Sequence, residues 1–372
     1  MNYKNILETS SISQAIALAR RKVEDNLLID ALDICEAILN KFPMNRDSKI
    51  IIENIISDPS SNLLAEKIFQ EGNVLYQKGD LGGALNCFKK SVRICPNHFK
   101  SYFNMAVVFQ NTGYLVDAIE NYIQVLKFNP STPDAYSHAG AILRDVRFPK
   151  YEPKFDAFVL QILEERNYVR PSEICPAVIS LLKKKPQIIS IWGLCKSQPS
   201  AGNLTSIIES LSKESLFLKI ISLCPIPDLE FENMLTHIRA GILRSIHTIT
   251  YTPSLGRVLS AIAVQCYINE YIYKRLNLEN EILAEIENDM SETIVHETQT
   301  RVKEILILAC YKPLHVYKWS AYIHQVVDLA TVVGLQVEQI KEEKESAGYI
   351  KDLKEISNSI SIDVQDQYEA SP

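Results

Sequence analysis

Glycine is scarce in this sequence. The chain has 12 glycines in 372 residues, about half of the ~7% share of an average protein. Folds that bind dinucleotides hold the phosphates with glycine-rich turns between a strand and a helix. Helices need few glycines, because a glycine in a helix interior lowers the stability of the helix. The scarcity disfavours a nucleotide-binding α/β fold and favours an all-α protein.

An excess of basic residues is also missing. The formal net charge is -6 and the sequence pI is near 5.8. Nucleic-acid-binding domains usually carry a basic face or stripe that neutralises phosphates. We therefore expect no nucleic-acid partner.

Cysteines in closely spaced pairs are absent as well. The sequence contains no C-x-x-C pair and no short framework typical of small secreted proteins. We expect reduced, mostly buried thiols, and neither a metal nor a cofactor. The eight cysteines are Cys35, Cys87, Cys95, Cys175, Cys195, Cys224, Cys266 and Cys310.

Long apolar runs are the fourth absence. The first 26 residues lack the apolar run of ~7 to 15 residues that a secretory signal requires. The longest apolar stretches, at 188–194 and 261–273, fall short of the ~20 residues needed to cross a bilayer. We expect a cytoplasmic protein that does not bind membranes.

A repeat with a period of 34 residues organises the first third of the chain. The residues at 72, 79, 84, 88 and 96 have counterparts of similar size and type at 106, 113, 118, 122 and 130. This period and pattern resemble the tetratricopeptide repeat (TPR), a helix-turn-helix unit of that length. The matching residues are Gly72, Gly79, Ala84, Phe88 and Pro96, then Ala106, Gly113, Ala118, Tyr122 and Pro130.

Each position of the repeat has a physical reason. Small residues such as Gly72 and Ala84 let the two helices of one repeat approach closely. Gly79 suits a turn with positive φ, which only glycine adopts without steric cost. Phe88 fills the packed layer, and Pro96 ends the second helix because proline lacks a backbone donor.

The period sets the predicted boundaries. Complete repeats cover 65–98 and 99–132, and a third first helix covers 133–147. A degenerate repeat at 12–45 has Ala31, Cys35, Ile38 and Pro43 at second-helix positions. Residues 46–64 are too few for another repeat, so an extra helix or irregular connection is expected there. We predict a TPR α-solenoid over 1–148.

Stacked repeats leave a groove lined by the first helix of each, and such grooves bind extended partner segments. We expect this groove to bind a protein or peptide. For Phe69 and Phe103, packing between repeats is an equal alternative. The groove residues indicated by the spacing are Glu66, Phe69, Asn73, Tyr76, Gln77, Lys100, Phe103, Val107, Gln110, Asn111 and Arg144.

Asn73 and Asn104 resemble the two asparagines of repeats that grip a terminal carboxylate. The basic partners of that clamp are missing, because Phe69, Asp134 and His138 stand where positive groups are expected. The sequence therefore favours a groove for a mixed apolar and polar segment.

The region 149–340 is predicted to be a helical bundle. Apolar residues recur at three- and four-residue spacings, and no alternating run indicates a sheet. Prolines separate the segments, at Pro171, Pro176, Pro225, Pro227 and Pro253. Residues 341–372 are predicted to be a charged linker or tail, because acids and bases alternate in its first part.

Two segments of this region carry a second resemblance. Residues 259–276 resemble an "A-x-Q-C-[FY]-x-N-E-Y" helix, and residues 305–320 resemble an "L-x-x-Y-x-P-L" element. Both are similar to bacterial proteins that join TPR repeats to a class I SAM-dependent methyltransferase. In that family a linker similar to the stretch from Leu335 onward precedes a "V-x-x-Q-Y-E-x-x-P-Y-P-R-W" motif, where the methyltransferase domain begins. The residues matching the first half of that motif are Val364, Gln367, Tyr368, Glu369 and Pro372.

The resemblance covers only the non-catalytic part of that family. A SAM domain needs a strand, a glycine-rich turn and an acidic residue to hold the cofactor. The Gly82-Gly83 pair lies in a repeat helix, and Gly334 and Gly348 are isolated. We expect no enzymatic activity from this chain.

A possible polar site lies on the helix over 259–276. Four polar residues of this helix are spaced about one helical turn apart, so their side chains can converge on one site: Gln265, Cys266, Asn269 and Glu270. Cys266, paired with His296 or His315, is a candidate thiol nucleophile. The alternative is a buried polar network that fixes how helices dock. His315 and His324 lack acidic or cysteine partners at ligand spacing, so zinc is not expected.

Two functions follow from these features. The first is an adaptor or scaffold in which the TPR groove binds a partner. The alternative is the substrate-recruiting part of a SAM-dependent methyltransferase that has been truncated or split.

Overall fold

The structure is a computed structural model that describes residues 3, 5–165, 168–196, 199, 201–275, 277–297, 301–323 and 329–347. Helices dominate these ranges and no strand occurs within them, so the predicted all-α class is confirmed. The tail beyond 347, His324 and the side chain of His296 lie outside the described part of the chain. The chain divides into two compact units, residues 1–181 and 182–372.

The first unit is a succession of paired helices. The predicted boundary at 148 falls in the loop that follows α9, and α10 and most of α11 belong to the same unit as the repeats. Its helices are α1 (Ile6–Thr9), α2 (Ile12–Glu24), α3 (Leu28–Lys41), α4 (Arg46–Ser57), α5 (Pro59–Gln77), α6 (Leu81–Ile94), α7 (Phe99–Asn111), α8 (Leu115–Phe128), α9 (Pro133–Asp145), α10 (Pro153–Glu164) and α11 (Pro171–Leu182).

Helices α5 with α6 and α7 with α8 form the two complete repeats. A Cβ added to Gly72 would lie 2.6 Å from a ring carbon of Phe88, so the helices of this repeat do approach closely. Gly79 and Gly113 both have φ of +81°. After each first helix, the glycine and the next residue donate to carbonyls of the last turn, as in Gly79 N to Tyr76 O (3.0 Å) and Asp80 N to Leu75 O (3.0 Å). This is a Schellman motif.

The degenerate repeat uses the same turn without glycine. Helices α2 and α3 pack together, and Asn26 between them has φ of 56°. Asn26 N donates to Val23 O (3.0 Å) and Leu27 N to Lys22 O (2.8 Å), which is the bonding pattern found after α5. Asparagine is among the non-glycine residues that best tolerate this conformation.

Helix α4 is the extra element between the repeats. Turn positions 26 and 79 are 79 - 26 = 53 residues apart, 19 more than the 34-residue period. Asn45 starts α4 by accepting a hydrogen bond from Ser48 N at 2.9 Å, and Asp58 then caps α5. Helix α5 therefore begins six residues before the predicted repeat boundary at 65.

The second unit packs around α16. Most of this helix between Leu255 and Cys266 is buried, as expected for a helix with apolar residues on most of its circumference. It contacts α13, α14, α15, α18 and α19. The helices are α12 (Pro186–Leu194), α13 (Ala201–Leu211), α14 (Ser215–Ile221), α15 (Leu229–Arg244), α16 (Pro253–Ile268), α17 (Asn277–Glu297), α18 (Val302–Ala309), α19 (Ala330–Val333) and α20 (Gln339–Ala347), with 3-10 turns at Leu314–Val316 and Lys318–Tyr322 and a π-helical turn at Gly334–Glu338.

Two details differ from the expected segments. Pro176 lies inside α11 rather than before it. It is the sixth of the twelve residues of this helix, and its missing N–H removes one backbone hydrogen bond. The apolar stretch after Leu204 forms two helices, α13 and α14. Glu214, at the turn between them, is buried and pairs with Lys185 at 2.6 Å. Across the described ranges, no helix combines the length and apolarity that crossing a bilayer requires.

We predict that Gly79→Ala and Gly82→Ala have opposite effects on the free energy of unfolding. A Cβ at Gly79 meets no atom within 4 Å, so the loss of about 1 kcal/mol comes from the positive φ alone. Gly82 lies in α6, where an added Cβ meets only Asp80 Oδ1 at an ordinary contact distance of 3.8 Å, so alanine there adds several tenths of a kcal/mol through helix propensity. Urea unfolding of the two purified variants measures both. Effects of equal sign contradict the turn assignment.

Candidate functional site

The predicted groove residues lie on α5, α7 and α9, the first helices of successive repeats. We call the surface formed by these residues, together with Asn104 and His138, the A-helix face. Asn104 Nδ2 donates to Asn73 Oδ1 at 2.7 Å, and Asn111 Nδ2 donates to the Tyr76 hydroxyl at 3.0 Å. These two bonds join α5 to α7 across the boundary between the two repeats.

The aromatic residues of this face differ in exposure. Phe69 is 6% exposed, and its ring packs on Phe88 and His98 with centroid distances of 5.7 and 5.2 Å. Phe103 is half-buried and packs edge-on against Tyr122 at 5.7 Å and His138 at 5.6 Å. Phe69 therefore serves packing, whereas part of Phe103 is open to a partner.

The charged residues of the A-helix face are paired within the chain. Lys100 Nζ lies 3.4 Å from Glu66 Oε2. Arg144 lies 2.8 Å from Glu173, with 53% of the arginine side chain exposed. Lys100 and Arg144 therefore already have carboxylate partners within the chain, and a ligand carboxylate would have to compete with them.

His98 connects Glu66 to a buried chain of hydroxyl groups. Ser91 Oγ donates to Ala65 O (3.0 Å) and Ser101 Oγ donates to Ser91 Oγ (3.0 Å), so both hydroxyl protons are used. His98 Nδ1, 2.9 Å from Ser101 Oγ, must then be the donor. His98 Nε2 lies 3.0 Å from Glu66 Oε2, which also requires a proton.

This contact fixes the charge of Glu66. The hydrogen bond from His98, followed by that from Gln70, lowers the pKa of the Glu66 carboxyl below its ordinary range. The carboxylate is thus engaged by three neighbours, His98, Gln70 and Lys100. The sequence pattern did not predict a role for His98 at this face, because His98 lies outside the helical positions that define the groove.

We predict that Glu66→Gln lowers stability more at pH 7 than at pH 3, by up to ~1 kcal/mol for a partly exposed pair. Because the folded-state pKa of Glu66 is lowered, its contribution is present above the ordinary carboxyl range and is lost as the pH falls through the lowered pKa. Thermal unfolding at both pH values measures the difference. Glu71→Gln, on the exposed side of α5, is the matched control. An equal effect at both pH values contradicts this role of Glu66.

The structure brings only part of the possible polar site together. Gln265 and Asn269 both lie beside the hydroxyl of buried Tyr273. The Gln265 amide is satisfied when its nitrogen faces Ile221 O (2.5 Å) and Cys224 O (3.1 Å). Gln265 therefore anchors the turn after α14.

Cys266 and Glu270 face other surroundings. The Cys266 thiol accepts a hydrogen bond from Arg239 Nη1 at 3.8 Å, and burial raises its pKa although the arginine opposes the shift. A raised pKa keeps the thiol protonated and weakly nucleophilic. Glu270 is exposed and has φ of 58°, in the turn that ends α16.

Arg239 is the centre of this core. It is 0% exposed, and its guanidinium donates to Lys274 O at 2.9 Å and Cys310 O at 3.4 Å. The Tyr311 ring lies 4.2 Å from it. The arrangement is that of a buried cation held by carbonyl groups and a π face.

The three segments that carry the methyltransferase resemblance meet at one residue. Gln336 is fully buried; its Nε2 donates to Ala263 O and Ala309 O at 3.3 Å each. Its Oε1 accepts from Leu314 N at 3.1 Å. His315 donates from Nδ1 to Gln336 O at 3.2 Å, so this histidine supports the same junction. Throughout the described part of the chain, no group of three or more His, Cys, Asp or Glu residues is placed to hold a metal ion.

Comparison with known proteins supports the repeat assignment. A family model described as "TPR repeat" matches residues 72–113, from the small residue of α5 to the turn glycine after α7. No curated protein matches the chain. The chain is thus an all-α protein that contains TPR repeats, a class whose members typically bind proteins or peptides.

Proposed function

We propose that this chain is a cytoplasmic adaptor or scaffold without catalytic activity, whose A-helix face binds an extended segment of a partner protein. The observation that carries the proposal is the bonded amide surface across α5 and α7. Asn104 and Asn111 each use the amide nitrogen toward α5, which leaves their side-chain oxygens available to a ligand. None of the eight cysteines is in a disulfide, as is usual in a reducing compartment.

The charges of this face favour an internal segment over a chain end. A terminal carboxylate needs a cation, and Lys100 and Arg144 are each paired with a glutamate. Half-buried Phe103 and Val107 offer apolar contact area beside the asparagines. The preferred ligand is an uncharged segment that places an apolar side chain near Phe103 and backbone groups near Asn104.

Selection from a library of random displayed dodecamer peptides tests the proposal. We expect the purified chain to enrich peptides that lose about fivefold in affinity with Asn104→Ala, since one neutral hydrogen bond is worth about 1 kcal/mol. Asn86→Ala, on the exposed surface of second-helix α6, is the matched control and should bind normally. Failure to enrich any peptide, or equal losses in both variants, contradicts the proposal.

The alternative function is the recruiting part of a SAM-dependent methyltransferase. It is favoured by the resemblance of residues 259–276 and 305–320 together with their junction at Gln336. This junction makes the resembling segments one packed unit rather than scattered matches.

The alternative predicts that a separate class I methyltransferase chain binds this protein. Gln336→Leu removes the three hydrogen bonds of the junction and should weaken that association, while Asn104→Ala should leave it unchanged. Size-exclusion chromatography of the mixed chains measures both. Absence of a complex with the unmodified protein leaves the adaptor function as the remaining proposal.

A further inference from the structure

The centre of the A-helix face holds a glutamine between two rings. Gln110 Oε1 lies 3.2 Å from the Tyr122 hydroxyl and 3.1 Å from His138 Nδ1. Gln110 belongs to α7, Tyr122 to α8 and His138 to α9. The three residues therefore join two successive repeats at one oxygen atom.

Tyr122 determines which way the glutamine amide points. The phenol side chain is fully buried, and burial raises its pKa, so the hydroxyl keeps its proton. A buried hydroxyl must donate that proton to an acceptor, and the amide oxygen of Gln110 is in position. The amide nitrogen, Nε2, then points away from Tyr122.

The same oxygen determines the tautomer of His138. An amide oxygen only accepts hydrogen bonds, so His138 Nδ1 must be the donor and carries the proton of the neutral ring. His138 Nε2 is left with a lone pair. Phe103 packs against both the Tyr122 and the His138 rings and limits their rotation.

Two groups with opposite hydrogen-bonding roles thus remain for a ligand. Gln110 Nε2 donates and His138 Nε2 accepts. Neither atom has a bond to another described residue, neither is among the buried unsatisfied atoms, and both side chains are half-buried. In an extended chain, the N–H and C=O of one residue point to the same side and bond to one neighbouring edge.

We propose that Gln110 and His138 form an anchor for the backbone of one internal residue of the bound segment. Gln110 donates to the carbonyl of that residue, and His138 accepts from its N–H. This inference rests on the proposed function of the A-helix face and specifies its ligand. A terminal carboxylate fits poorly, because it has no proton for His138, and proline is excluded at the anchored position because it lacks the N–H.

Amide-to-ester replacement along a dodecamer peptide selected as above tests the anchor. An ester oxygen removes one backbone N–H at a time without adding bulk. Among the positions at which an ester weakens binding, we expect one, with a loss of about fivefold, to be the N–H that His138 accepts. In His138→Phe, which keeps an aromatic ring beside Phe103 and lacks the acceptor, that same ester should have no further effect.

Gln110→Glu provides a second variant of similar shape. It replaces the donor by a carboxylate and should weaken binding of the unmodified peptide, and the thermal midpoints of both variants report whether they are folded. Asn86→Ala should retain the full ester effect. Ester sensitivity that persists in His138→Phe overturns the anchor while peptide binding by the face still stands. A library that yields no peptide contradicts peptide binding itself and the anchor with it.

Discussion

The close approach of the two helices within each repeat is the constraint on which the rest of the first unit depends. Gly72 faces Phe88 so closely that a Cβ would overlap the ring, and Ala106 is its counterpart one period later. This approach brings the aromatic residue of the second helix beneath the first helix. In the second repeat that aromatic residue is Tyr122, whose hydroxyl reaches through to Gln110 on the A-helix face. The packing residue and the proposed binding residue are therefore linked by a direct bond.

Much of this arrangement is readable from the sequence, because the repeat constrains backbone geometry at known positions. Glycine at 79 and 113 predicts the positive φ that both turns adopt. The degenerate repeat was harder to place, since its turn residue is Asn26 and its spacing to the next turn is lengthened by α4. An asparagine followed by a leucine at a helix end was the available signal, because asparagine tolerates the left-handed conformation.

Side-chain bonding on the A-helix face was beyond the reach of sequence reasoning. The helical period predicts which residues share the surface, yet it does not tell which of their polar atoms are already used. Glu66 and Lys100 look like ligand groups in the sequence, but they engage each other and His98. His138 stands where a cation is expected, but its Nδ1 is bonded to the Gln110 oxygen, so in the neutral ring only Nε2 remains, as an acceptor. The hydrogen-bonding role of each side chain depends on which neighbouring groups donate to it or accept from it. Those neighbours can be identified only from the structure.

In the second unit, buried polar side chains fix how the helices pack. Gln265 and Cys266 are adjacent on α16 and point to different neighbours, the turn after α14 and Arg239. Gln336 ties α16, α18 and the 3-10 turn at Leu314–Val316 through its amide alone. Buried polar groups specify one packing arrangement, because any other leaves them unpaired at a cost of about 1 to 3 kcal/mol each. Gln265, Cys266 and Gln336 of the distinctive segments are thus all engaged in the packing of this core.

Preorganisation connects these observations to binding. Ordering a flexible side chain at an interface costs about 0.5 to 1.5 kcal/mol, and the amides of Asn73, Asn104, Gln110 and Asn111 are already held by neighbours in the free chain. A segment bound as proposed would meet groups whose direction is set before it arrives. The intramolecular bonds that engage Glu66 belong to the same hydrogen-bond network, since Gln70 bonds both Glu66 and Asn73. In the proposed binding mode, residues that do not touch the ligand contribute to affinity by fixing those that do.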